Sequence, residues 1–216
     1  MKTYLIALLI SWLVRQTPDG FYYLREGKQI EMTTFDSAGK RISVSRSFIS
    51  GVRQEGAATL ADMRTEKRDD AGKLLEETVS SSRLENGDLR LAFPVPGRTD
   101  NPAFLAYPSE LRAGQTLPSD VDFSFESTVK GKRTRVHFAI SERRVTGRET
   151  VQALAQAWNC FKISYLLKVQ FKVLGIGIPM NYQITEWFAP GFGVVKTEAW
   201  NGSKLENRSL LTSIQP

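Results

Sequence analysis

The fold of this chain is decided by the segment Phe161-Lys162-Ile163-Ser164-Tyr165-Leu166-Leu167-Lys168-Val169-Gln170-Phe171. Every second residue is aromatic or branched aliphatic, and most residues between them are polar. Side chains of a β-strand point alternately to its two faces, so this pattern predicts a long strand with one buried face. The same period of two recurs at 42–48, 89–93, 121–129 and 135–140.

Turn residues separate these alternating runs. Asn86-Gly87 and Asn201-Gly202 are dipeptides that accept positive φ angles in tight hairpins. Asp36–Lys40 and Asp69–Lys73 have the composition of longer hairpin loops. Strands with one apolar face must bury those faces together. The sequence therefore predicts an all-β fold, a large curled antiparallel sheet that forms an open barrel or a sandwich.

A short helix is the alternative for one stretch, Glu149–Trp158. Val151, Leu154, Ala155 and Trp158 recur at helical spacing there. The stretch lies between two strongly alternating runs, and for this reason a loop remains the other interpretation. The fold prediction thus allows β-structure with one short helix.

Composition indicates an ordinary globular protein. The chain has 216 residues, of which 41% are hydrophobic and 24% charged, and this is enough for one domain with a substantial core. The proline-rich stretch at 94–97 is the only candidate boundary, and strands of the same character flank it on both sides. We therefore expect residues 18–216 to form a single antiparallel β domain.

The N-terminus has the pattern of an export signal. Met1-Lys2 supplies positive charge, and Tyr4–Val14 is an apolar run of 11 residues, shorter than the roughly 20 needed to span a bilayer. We expect a signal peptide over 1–17, with no small residues to define the cleavage point. The mature protein is expected to be periplasmic or secreted. Because no cysteine follows this segment, we expect no lipid anchor, and no later segment is apolar enough for a transmembrane span.

Several motifs resemble the TapB-like family of uncharacterised bacterial envelope proteins, a domain of unknown function. The resemblance covers nearly all the chain after residue 17 and rests on Tyr22–Gly27 with the following Asp-x-x-Gly-Lys turn, Tyr107–Pro118, Glu149–Ile163 and Trp187–Lys196. The family pattern has Pro and Gly where this chain has Leu154 and Gln156. The resemblance implies export and a mostly β fold similar to lipoprotein carriers, and it implies no activity.

Residues typical of catalysis or metal binding are scarce. The chain has one cysteine, Cys160, and one histidine, His137, so a disulfide within the chain and a zinc site built only from Cys and His are excluded. No nucleophile-elbow, metalloprotease or phosphate-loop motif occurs. We expect no catalytic residue, no metal, no cofactor and no enzymatic activity.

The long alternating strands, together with an aromatic excess near Glu149–Ile163 and Trp187–Lys196, suggest a ligand site. Trp158, Tyr165, Trp187 and Phe188 are the candidate lining residues for an apolar or amphipathic, lipid-like ligand on the concave face of the sheet. Core packing is the alternative interpretation of the same residues.

Basic residues cluster around the predicted strand at 135–140. The net charge is +6, and the cluster predicts an anion patch that would orient an acidic headgroup, formed by Arg133, Arg135, Arg143 and Arg144. We expect no nucleic-acid binding, because exposed aromatics do not alternate with these charges. The second functional hypothesis is a structural or assembly subunit that docks an envelope protein partner through an edge strand or an exposed patch.

Overall fold

The computed structural model describes residues 21–93, 103–119, 121–129, 132–173 and 176–215. The predicted signal peptide, 1–17, lies outside these residues. A short 3-10 helix, Tyr22–Leu24, comes first. Twelve strands follow in chain order: β1 Gln29–Asp36, β2 Arg41–Glu55, β3 Ala58–Asp69, β4 Leu74–Glu85, β5 Asp88–Ala92, β6 Phe104–Tyr107, β7 Asp122–Val129, β8 Lys132–Ala153, β9 Gln156–Val173, β10 Ile176–Ala189, β11 Gly193–Asn201 and β12 Lys204–Gln215.

All twelve strands belong to one antiparallel sheet with the order β6-β5-β4-β3-β2-β1-β12-β11-β10-β9-β8-β7. The chain builds one half outward from β1 to β6, crosses to the opposite edge, and returns from β7 to β12. The first and last strands pair at the middle of the sheet, over Gln29–Asp36 and Asn207–Gln215. The predicted curled antiparallel sheet is confirmed, and it is a single sheet rather than a sandwich.

The sheet curls until its two halves touch across the interior. Tyr107 on β6 stacks on Phe188 of β10, with ring centroids 4.4 Å apart. The connection from β6 to β7 joins the two edges, since Ser119 forms a bridge with Leu105 of β6 and Thr116 forms one with Arg144 of β8. The result is a half-barrel. These contacts close one end, here called the lower end, and the other end, at the β1–β2 and β3–β4 turns, is open.

Those two turns share one hydrogen-bonding pattern. The Asp36 carboxylate accepts the backbone N–H groups of Ala38 and Lys40, both at 2.9 Å. Asp69 does the same for Ala71 and Lys73, at 3.0 and 2.8 Å. The aspartate side chain replaces a backbone acceptor within each turn, which explains why the two loops have the same sequence pattern.

The helical alternative for Glu149–Trp158 is wrong. Strand β8 continues to Ala153, and β9 begins at Gln156. Leu154 and Ala155 form the two-residue turn with φ angles of 55° and 57°. Such turns normally use Asn-Gly, and the absence of those residues hid this hairpin in the sequence.

The double substitution Leu154→Asn/Ala155→Gly is expected to stabilise the protein by about 1–2 kcal/mol, because the left-handed conformation costs Leu and Ala roughly that much, whereas Asn and Gly adopt it more readily. Urea unfolding measures the change. The control is the Asn86-Gly87 turn, where Asn86 already has a φ of 53°, and where Asn86→Leu should destabilise. An unchanged or lower stability of the double variant would contradict the argument.

Candidate functional site

The four aromatic residues predicted to line a ligand site do not converge. Tyr165 and Phe188 lie on the inner face and are buried in the core. Trp187 is buried on the opposite face, between the ammonium groups of Lys162 and Lys196 at 5.1 and 4.0 Å from its ring. Adjacent residues of a strand face opposite ways, so Trp187 and Phe188 cannot contact the same ligand on the concave face.

Trp158 lies instead beside the β8–β9 turn, where it lines an open cavity of about 640 Å³ together with Cys160 and Pro190. Its indole N–H donates to the carbonyl oxygen of Ala153 at 3.0 Å, and its ring contacts Phe192 at 4.7 Å. Trp158 is thus held by the turn and the neighbouring core.

The thiol of Cys160 is unsuited to nucleophilic chemistry. Burial, with a smaller contribution from the Glu149 carboxylate, raises its pKa to about 12. Because the thiolate is the reactive form, the buried Cys160 remains a protonated thiol at neutral pH.

The basic cluster is divided between two environments. Arg135 and Arg144 are exposed, and Arg135 lines a shallow cavity of about 220 Å³ with Ser124, His137 and Gln170. Arg143 is only 1% exposed, so it is not part of a surface patch with them. The side chain of Arg133 lies outside the described part of the chain. Anion binding by the exposed arginines stays a prediction.

Arg143 turns inward because of a β-bulge. The register between β8 and β9 shifts between Ser141 and Arg144, and Glu142 has a φ of 55°. An extra residue in one strand reverses the alternation beyond it. Odd-numbered residues such as Arg135 therefore face out before the bulge, whereas Arg143 and Val145 are buried after it.

A buried polar cluster forms around this arginine. Its guanidinium donates to the carbonyl oxygens of Ala106 and Pro118, lies 4.5 Å from the Tyr107 ring, and is 4.0 Å from the Glu186 carboxylate. Tyr107 and Tyr165 each donate a hydroxyl hydrogen bond to Glu186, at 3.0 and 2.8 Å. The cluster joins β6, the crossing connection, β8, β9 and β10 at the floor of the half-barrel.

Charge and burial together hold the cluster tyrosines neutral. Burial, and then the Glu186 carboxylate, raise the pKa of Tyr107 and Tyr165 well above 10, and the same two causes raise the pKa of Tyr23. In the unfolded chain these groups ionise near pH 10. Above that pH the unfolded chain binds fewer protons than the folded protein, and the free energy of unfolding must fall as pH rises.

We therefore expect steep alkaline destabilisation. Each tyrosine contributes about 1.4 kcal/mol per pH unit above pH 10, so the three together contribute about 4 kcal/mol per unit. Urea unfolding between pH 8 and 11 measures this slope. Tyr165→Phe should reduce the slope by about a third, and a free energy of unfolding that stays constant up to pH 11 would contradict the assignment.

The open half of the concave face has one apolar side. Phe93, Phe123, Phe125 and Phe138, here called the phenylalanine wall, are partly exposed. Their ring centroids lie 5.7–6.3 Å apart. By register, Phe138 aligns with Phe123 on β7 and with Val169 on β9, so these rings share the inner face.

Another part of the concave face, on β2, β3 and β4, carries hydroxyl groups. Strands β2, β3 and β4 place Ser47, Thr65 and Thr78 in one cross-strand row, and Ser45 and Ser80 occupy the same face in the adjacent rows. These residues, here called the hydroxyl wall, are all partly exposed. The Ser47 and Thr65 hydroxyls are 2.8 Å apart and hydrogen-bonded.

Both walls were missed in the sequence. The phenylalanine wall had a signal in the alternation of Phe123 and Phe125, and the hydroxyl wall had one in the alternating serines of β2. Predicting that both lie on one concave surface would have required the strand order.

Within the described ranges, no group of three or more His, Cys, Asp or Glu side chains is placed to hold a metal ion. No helix among these residues is both long and apolar enough to cross a membrane.

Two solved bacterial structures have the same fold as this chain. A Bacteroides fragilis protein, provisionally described as exported with a YmcC-like fold, matches with a TM-score of 0.72 and 20% identity over 91% of this chain and 99% of its own. A provisionally named lipoprotein of Parabacteroides distasonis matches with a TM-score of 0.74 and 18% identity over 91% and 100%. At these identities the likeness shows the fold alone.

Sequence comparison identifies a family for the second half of the chain. The model described as DUF3108-like matches residues 101–211, from before β6 into β12. No curated protein matches the chain significantly. The TapB-like name suggested by the sequence motifs is not confirmed by these comparisons.

Proposed function

This chain belongs to the DUF3108-like family, and from this premise we propose that it is a non-catalytic protein of the bacterial envelope that binds an amphipathic, lipid-like ligand. The ligand would occupy the open half of the concave face. The observation that carries the proposal is the phenylalanine wall, where four rings pack on one another yet stay partly exposed.

Apolar burial would provide the driving force. Phe138 contacts the other three rings at 5.7–6.0 Å, and covering the remaining exposed ring surface with an alkyl chain removes it from water. Below this wall, Tyr107, Tyr165 and Phe188 pack the floor. A ligand would therefore lie above the buried polar cluster, not beside the residues first predicted from the sequence.

The proposed location is the periplasm or the cell exterior. The charged and apolar pattern of 1–14 supports export, and the two fold neighbours are provisionally described as an exported protein and a lipoprotein. The mass of the mature protein distinguishes a free exported chain from a lipid-anchored one. A free chain has lost only its leader, whereas an anchored chain carries added acyl groups.

Native mass spectrometry of the exported protein tests ligand binding. We expect an added mass that denaturation releases, and Phe138→Asn should reduce its occupancy about tenfold, because roughly half a phenylalanine's burial energy is lost. Phe48→Asn is the matched control, since Phe48 is partly exposed on the outer face beneath the Arg64 guanidinium. A native mass equal to that of the bare chain would count against the proposal.

Partner docking is the second candidate function, and one observation favours it. Strand β5 pairs with β4 only over Ser82–Glu85, and among the described residues no strand covers that edge over 74–81. Leu74, Leu75 and Val79 are between 43% and 53% exposed there. An added strand of a partner would satisfy this edge, and Val79→Lys should then abolish co-purification of the partner.

A further inference from the structure

The two walls lie on the concave face of one sheet. Contact between β6 and β10 at the floor requires the sheet to curl, and Phe93, which follows β5, packs on Phe123 of β7. Strand β5 also pairs with β4, so the aromatic rings border the strands that carry the hydroxyl groups. The concave face is therefore amphipathic.

The hydroxyl wall offers a particular chemistry. A serine or threonine hydroxyl is one donor and two acceptors, so a row of them matches partners that both donate and accept. The Ser47–Thr65 pair uses only part of this capacity, because two hydroxyls at 2.8 Å share a single hydrogen bond. The hydroxyl groups of a sugar or polyol, which also donate and accept hydrogen bonds, would complement this wall.

Charge argues against an ionic partner at this wall. Lys67 is the one basic residue placed by register on the described inner face of β2–β4, and it stands opposite Glu76 on β4. The other candidate cations are elsewhere: Arg143 is buried in its own cluster, and Arg135 and Arg144 are exposed on the outer face. An acidic headgroup would thus meet no uncompensated positive charge.

We propose that the ligand's polar end is uncharged and rich in hydroxyl groups, as in a glycosylated amphiphile, and that the hydroxyl wall binds it. This inference rests on the proposed function, because it specifies the polar half of a ligand whose apolar half contacts the phenylalanine wall. It replaces the acidic headgroup expected from the basic cluster in the sequence.

Three decyl amphiphiles with different heads test the inference: decyl maltoside, decyl phosphate and decyltrimethylammonium, each titrated calorimetrically below its critical micelle concentration. We expect the maltoside to bind at least tenfold more tightly than the other two. Equal affinity for all three would overturn the headgroup assignment and leave the proposed function standing. No binding of any of the three would overturn both.

Variants of the hydroxyl wall sharpen the test. Ser47→Ala/Thr65→Val removes both members of one hydrogen bond, so neither is left unpaired. It should weaken maltoside binding about 3- to 10-fold and leave decyl phosphate binding unchanged. Thr78→Val provides a second, single substitution if the double variant is unstable. Ser81→Ala, on the outer face of β4, is the control, and an equal loss with Ser81→Ala would overturn the assignment.

Discussion

Replacing Arg143 with alanine is expected to lower the free energy of unfolding by about 3–5 kcal/mol, the usual cost of removing one partner of a buried ion pair. The side chain of Arg143 is 0% exposed and that of Glu186 is 6% exposed. Without the guanidinium, the Glu186 carboxylate loses its counter-charge. The carbonyl oxygens of Ala106 and Pro118, which accept hydrogen bonds from the Arg143 guanidinium, also lose a donor.

Urea unfolding at pH 7 measures this loss, and two variants separate its causes. Arg144→Ala is the matched control. Arg144 is the next residue and its side chain is exposed, so its removal should change the free energy of unfolding by less than about 0.5 kcal/mol. Arg143→Met/Glu186→Gln removes both charges, and we expect it to recover part of the loss. A change below about 1 kcal/mol for Arg143→Ala would show that the cluster does not hold the two edges together.

Gly193→Ala is the second large effect, with an expected loss of about 3 kcal/mol or more. Gly193 has a φ of 131°, a conformation essentially reserved for glycine that costs other residues about 1–3 kcal/mol. A β-carbon there would overlap the Tyr23 ring, with Cδ2 at 2.7 Å. Tyr23 is buried against Phe192 and has no room to move aside.

Two comparisons isolate the steric part of this loss. Gly191→Ala lies in the same turn at a φ of 77°, with no atom within 4 Å of the added carbon, so it should cost only about 1–2 kcal/mol of backbone strain. In a Tyr23→Ala background, Gly193→Ala should lose its steric contribution. Thermal or urea unfolding gives the free energy of unfolding of each single variant and of the Tyr23→Ala/Gly193→Ala double variant. Equal losses for Gly193→Ala and Gly191→Ala would contradict the steric explanation.

The turn at 189–193 also explains why the segment Trp187–Lys196 looked like a signature. Its glycines and proline are typical of a turn, and the structure shows that the Tyr23 ring packs directly against Gly193. Nothing in the local sequence indicates that a tyrosine 170 positions earlier packs there. Such a contact depends on how the 3-10 helix closes the lower end of the sheet.

The candidate site shows the same division. Alternation at 135–140 correctly placed Phe138 and Arg135 on opposite faces, because local strand geometry alone determines that choice. It failed at Arg143, since the bulge at 141–144 reverses the alternation and its backbone change has no strong residue signature. It also grouped Trp158, Tyr165 and Trp187 in one site, whereas the structure places them apart, because their positions depend on how β9 pairs with β10 and on the curl of the sheet.

Sequence by itself determined the β-strands, the hairpin turns with Asn-Gly and Asp-x-x-Gly-Lys, and the all-β class, because these depend on neighbours within a few residues. Tertiary structure alone decided the pairing of β1 with β12, the burial of Arg143 against Glu186, and the placement of a phenylalanine wall and a hydroxyl wall on one concave face. These features join residues that are far apart in the chain, and only the curvature and register of the whole sheet bring them together.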